Sequence, residues 1–162
     1  MKKVTLIFLT LIEVFIIFIG LFFLCELKNR NAAEVLVVKA YFSNTSMDPE
    51  ISCNKVFAVN RQVPKTQAVA RAAIEELLKG PTDTEKNSGF FTSINSGVKI
   101  NSLSIDNGTA KIDFDDSIEK GAGGSCKVSA IRAEITQTLK QFPTVKEVII
   151  SVNGRTEDIL QP

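Results

Sequence analysis

The side chains in this sequence whose types suit chemistry are Cys53 and Cys126, and a run of carboxylates at Asp113, Asp115, Asp116 and Glu119. A thiol at a helix start becomes a nucleophile when its pKa falls, and paired carboxylates serve glycoside hydrolysis or calcium binding. The chain has no histidine, so Ser-His-Asp and Cys-His nucleophiles and His-ligated zinc are excluded. Outside the cytoplasm two cysteines commonly pair as a disulfide instead. A Cys53–Cys126 bond closes a long loop, worth about 4 kcal/mol in the chain-entropy model, provided the Cα atoms lie within about 7 Å. Lys111, Asp113 and Asp115 alternate with Ala110, Ile112 and Phe114, which is the pattern of a strand with one wet face, and EF-hand spacing is not present. Gly121-Ala122-Gly123-Gly124-Ser125 precedes a helix and could hold an anion on backbone N–H groups. It lacks the Lys-Ser/Thr of a P-loop and reads as a flexible connection. Arg155, behind the turn Asn153-Gly154, suits either a partner's carboxylate or a structural contact within the chain. No catalytic, cofactor-binding or metal-ligating set is expected, and no enzyme.

The elements that must position these residues follow from pattern. Val35–Phe42 and Val56–Val63 read as strands, rich in β-branched residues and too short for helices. Thr66 opens a helix through Lys79, stopped by Gly80-Pro81. Thr82-Asp83-Thr84-Glu85 has capping-box spacing and predicts a short further turn. Val98–Ile105 and Thr109–Phe114 form a hairpin about Asn107-Gly108. Ser125 is the expected N-cap of a second helix, Cys126–Gln141, with Val128, Ile131, Ile135, Leu139 and Phe142 inward. Val145–Val152 is the last strand. The order β-β-α-β-β-α-β predicts an α+β fold, a single sheet with two helices on one face.

Ahead of this domain, Val4–Cys25 is apolar apart from Glu13. A helix of that length spans about 33 Å, enough for a hydrocarbon core of about 30 Å, and too long for an ordinary signal core of about 7–15 residues. The expected division is a cytoplasmic start at 1–3, a transmembrane signal anchor at 4–25, a linker at 26–34, the folded domain at 35–155 and a tail at 156–162. Glu13, at mid-membrane, is either an intramembrane contact to another helix or copy, or a protonated and tolerated carboxyl. The cysteines place the folded domain outside the cytoplasm of a single-pass membrane protein. From Asn31 on, 15 Lys+Arg face 16 Asp+Glu, so no basic surplus exists to hold nucleic acid.

Five segments carry a family likeness. Val37-Val38-Lys39-Ala40-Tyr41-Phe42, the helix Ala68–Lys79 closing in Gly80-Pro81-Thr82, Ser93-Ile94-Asn95-Ser96-Gly97-Val98, the hairpin from Asn107-Gly108 to Phe114, and Val148–Gly154 together resemble the GerMN domain over Val35–Arg155. The resemblance implies a compact α/β unit of bacterial envelope proteins, among them spore-formation and germination proteins, with no assigned catalytic residues. The expected function is therefore a non-enzymatic, membrane-anchored module for protein interaction or scaffolding in the cell envelope. Its partner is another envelope protein or a second copy of the chain. The alternative is binding of cell-wall peptidoglycan or a small ligand. A concave groove lined by Tyr41 and polar residues would favour glycan, and an open sheet edge or exposed apolar patch a protein.

Overall fold

The computed structural model describes residues 15–22, 34–50 and 52–161. The chain divides into two compact units, Met1–Val35 and Leu36–Pro162. In the first, residues 15–22 are helical and their side chains exposed. Among the described residues no helix is long and apolar enough to cross a membrane. The rest of the expected Val4–Cys25 span, Glu13 included, lies outside the described residues.

The second unit contains strands β1 (Val35–Asn44, shared with the first unit at Val35), β2 (Phe57–Pro64), β3 (Phe90–Phe91), β4 (Ile100–Asp106), β5 (Thr109–Phe114) and β6 (Glu147–Val152). Its helices are α1 (Val69–Leu78), α2 (Asp83–Asn87) and α3 (Ser125–Lys140), with a 3-10 turn at Asp116–Glu119. The fold is α+β, but the expected single sheet is wrong. The strands form two three-stranded sheets, ordered β2-β1-β3 and β4-β5-β6.

Hydrogen bonding explains the division. Lys39, Tyr41 and Ser43 share one edge of β1, because backbone groups alternate sides along a strand. Ser43 faces Phe91 of β3 on that edge. Further back, α3 takes the positions a neighbouring strand would occupy. Gln141 Oε1 accepts from Lys39 N at 2.7 Å and Gln141 Nε2 donates to Lys39 O at 2.6 Å. Thr138 Oγ1 accepts from Tyr41 N at 3.1 Å. Polar side chains of a helix thus satisfy the strand edge and end the sheet there.

The second sheet joins a hairpin to a crossover. β4 and β5 are antiparallel about Asn107 (φ 48°) and Gly108 (φ 86°); two successive positive φ values are what a tight primed turn requires. β6 then returns parallel to β5, from Thr109↔Glu147 to Phe114↔Val152, with α3 as the crossover that a parallel pair demands. Phe42 of β1, Ile112 and Phe114 of β5, Leu77 of α1 and Ile131 and Ile135 of α3 are fully buried in one core. Both sheets and both long helices therefore share the same hydrophobic interior.

Two helix starts differ from expectation. α1 begins at Val69 rather than Thr66, whose hydroxyl accepts from Ala68 N and holds a turn ahead of the helix. The N-cap of α3 is Gly124, with φ 99°, and Ser125 is already helical. The expected turn at Thr82 is present as a full capping box, with Thr82 Oγ1 accepting from Glu85 N and Glu85 Oε2 accepting from Thr82 N.

Candidate functional site

The acidic residues near the end of β5 do not converge on a common point. Asp113 Oδ1 accepts from Ser151 Oγ at 2.6 Å and Gly154 N at 2.8 Å, and Oδ2 from Asn101 Nδ2 at 2.9 Å. Burial works against ionisation of Asp113, but these hydrogen bonds outweigh it and hold the carboxyl below its ordinary value. Asp115 accepts from the Ser117 hydroxyl and from Lys99 N, which hold its carboxyl low as well. Asp116 lies 4.0 Å from Lys120. Glu119 accepts from Arg155 Nη2 at 2.8 Å and from Leu160 N at 2.9 Å. These carboxylates tie strand ends, a turn and the C-terminal segment together. Arg155 is engaged with Glu119 of its own chain. Among the described residues no group of three His, Cys, Asp or Glu could hold a metal ion.

The structure joins Cys53 and Cys126 in a disulfide, with Cα atoms 4.9 Å apart. Cys53 has φ 62°, a left-handed conformation that costs a non-glycine residue about 1 kcal/mol or more. The bond links the β1–β2 connection to the first turn of α3, at the mouth of a cleft of about 520 Å3. Three parts of the chain wall this cleft. The end of β1 contributes Ser43 and Asn44, and the connection behind it contributes Asp48 and Lys55. On the opposite side, β3 and the residues after it bring Phe91, Thr92, Ser93 and Asn95, and α3 brings Lys127 and Ala130.

Local structure fixes these walls. Asn44 Oδ1 accepts from Ser46 N at 2.8 Å and Met47 N at 2.9 Å, and its amide donates to Ser88 O at 3.1 Å. The turn after β1 is thereby clamped to the end of α2. Gly89 (φ 88°) sits under that turn, where an added Cβ would lie 2.7 Å from Ser46 Oγ and 3.1 Å from Asn44 Oδ1. A glycine is required there both for the conformation and for the close approach.

Behind the cleft lies Glu134 of α3, with none of its surface exposed. Its Oε2 accepts from Thr92 Oγ1 at 2.6 Å; its Oε1 accepts from Ser93 N at 3.0 Å and from Ser43 Oγ at 3.4 Å. Burial pushes this carboxyl up to about 7, against the opposing pull of the same hydrogen bonds. One side chain thus connects α3, β1 and the segment after β3 at the floor of the site. Sequence reasoning passed over Glu134. The available signal was its place among Ile131, Ile135 and Thr138, where a charge falls on the inward stripe of a helix. Tyr41, expected to line a groove, is half-buried on β1; the aromatic residue in the cleft is Phe91.

This combination of a two-sheet α+β domain, a disulfide across a polar cleft and carboxylates spent on structure defines a small binding domain. The family model for sporulation and spore germination, Germane, matches residues 39–158, and the chain belongs to that family. It carries a GerMN-type domain. The spore germination protein GerM of Bacillus subtilis is 39% identical over 89 residues, which make up 53% of this chain and 24% of that protein. The chain therefore spans only a part of this relative. The first GerMN domain of the sporulation protein GerM from Bacillus subtilis superposes with a TM-score of 0.58 at 22% identity, covering 75% of this chain and 85% of that domain. The tandem GerMN domains of the same protein give 0.56 at 19% identity, over 76% of this chain and 41% of the tandem. At those identities the solved structures speak for the fold.

Proposed function

We propose that this chain is a non-enzymatic, membrane-anchored module that binds another envelope protein outside the cytoplasm during sporulation or germination. The observation that carries the binding claim is β2. It is an outer strand of eight residues whose strand neighbour in the sheet is β1, and its one charged residue, Arg61, is turned toward Glu85. An open strand edge is a template for an added strand, supplying main-chain hydrogen bonds to a partner. The family relation supports the process, and the disulfide supports an oxidising compartment. The apolar run around Glu13 supports the anchor. Photo-crosslinkers placed at the exposed Ala58 and Asn60 in growing and sporulating cells test the claim. A discrete protein adduct that disappears when Gln62 is changed to Lys is the expected result. Adducts to polymeric wall alone would remove the protein partner.

A second reading rests on the cleft between β1, β3 and α3. Its polar lining beside one aromatic ring favours a wall glycan or small ligand as the bound species.

A further inference from the structure

We infer that the cleft closed by Cys53–Cys126 is a site for a small acidic sugar, its carboxylate held between Lys55 and Lys127. The inference rests on the second reading above and names its ligand class. A volume of about 520 Å3 is toward the small end of the roughly 300–1,000 Å3 usual for ligand sites, and suits one or two sugar rings.

Three sources of positive potential meet at this cleft. Lys55 reaches it from the β1–β2 connection with 54% of its side chain exposed. Its contact to Asp48 is long, at 3.9 Å, and Asp48 already accepts from Ser52 N and Ser52 Oγ at 2.8 and 2.6 Å. Lys127 comes from α3 and donates to Gly121 O at 2.8 Å and Asn95 Oδ1 at 3.4 Å. Both are neutral acceptors, so neither cancels the ammonium charge. α3 itself starts at Gly124 with no side-chain cap, and Cys126 and Lys127 of its first turn line the cleft. An uncapped helix start adds a partial positive charge in the same place.

The remaining lining fits a sugar ring better than a bare anion. Phe91 and Ile94 provide apolar surface for the C–H face of a ring, while Ser93 and Asn95 offer hydroxyl and amide groups beside it. The floor does not repel a carboxylate as an ionised acid would, because buried Glu134 takes up a proton near neutrality and is engaged with Thr92, Ser93 and Ser43.

The test compares N-acetylmuramic acid with N-acetylglucosamine, which differ by the lactyl group that bears the carboxylate. Each is titrated into the isotopically labelled full chain in lipid nanodiscs, with amide shifts as readout. The acid is expected to move Lys55, Ser93, Asn95 and Lys127, to bind at least about tenfold more tightly than the neutral sugar, and to weaken as salt rises. Lys55→Gln, at an exposed position where folding is not at stake, should weaken the acid about tenfold and leave the neutral sugar unchanged. Equal binding of both sugars in the cleft would overturn the acidic ligand and leave the small-ligand reading standing. Shifts from neither sugar in the cleft would overturn both.

Discussion

Glu134 shows how one buried carboxyl sets a pH dependence for the whole domain. In the unfolded chain a glutamate titrates near 4.5, whereas burial raises this one to about 7. Between those values the folded state holds a proton that the unfolded state has released, so stability falls as pH rises through the window. The shift corresponds to about 3 kcal/mol of stability present below pH 4.5 and lost above pH 7. Glu134→Gln keeps the shape and most of the hydrogen bonds while removing the titration. Urea denaturation from pH 4.5 to 8 is expected to show the variant gaining on the wild type by up to about that amount as pH rises. Asp113 and Asp115 work in the opposite sense. Their carboxyls are held low in the fold, so the stability they supply is present above the ordinary aspartate range and is lost as pH falls through their folded values. Asp113→Asn should therefore make the loss of stability below pH 4 shallower. The structural use of Asp113 was legible from its alternation with Ile112 and Phe114. The role of Glu134 was not, because its partners Thr92 and Ser43 lie 42 and 91 positions away in the chain.

At the scale of elements, Arg61 couples an outer strand to a helix of five residues. Its Nη1 and Nη2 donate to Glu85 Oε1 and Oε2 at 2.6 and 2.7 Å, and its guanidinium lies 5.6 Å from the centre of the Phe42 ring. Glu85 at the same time closes the capping box of α2. The Arg61 and Glu85 side chains are 11% and 18% exposed, between the surface pairs worth under about 1 kcal/mol and the buried pairs whose breaking costs about 3–5. Arg61→Ala is expected to cost about 2 kcal/mol in urea unfolding, and Arg61→Lys to recover less than half of it, since an ammonium cannot make the paired contact. The capping box at Thr82 could be read from four consecutive residues. Its attachment to β2 could not, because nothing local in Phe57–Pro64 marks Arg61 as inward. Strand positions were legible to within a few residues for the same local reason, while their grouping into sheets was not. Thr138 and Gln141 look like ordinary surface polar residues of a helix until they are found bonded to the edge of β1.

For the whole molecule, the Cys53–Cys126 bond is the covalent tie between the β1–β2 connection and α3. Cys126→Ser is expected to lower the unfolding free energy by up to about 4 kcal/mol under oxidising conditions and to have no effect in excess reductant. Non-reducing peptide mapping of protein taken from native envelopes should recover the linked pair. The central claim is that the domain works by binding at a strand edge and not by catalysis. Its most direct test is complementation in a strand of the encoding organism that lacks the chain, scored by spore yield and germination. Two variants are compared at equal envelope abundance. Ala58→Lys with Asn60→Lys alters the exposed side of β2 and should change stability by no more than about 0.5 kcal/mol. Asp113→Asn with Asp115→Asn removes the carboxylates a hydrolase would need. The account predicts that the lysine variant fails to complement and the asparagine variant succeeds; a functional lysine variant beside an inactive, well-folded asparagine variant would contradict it.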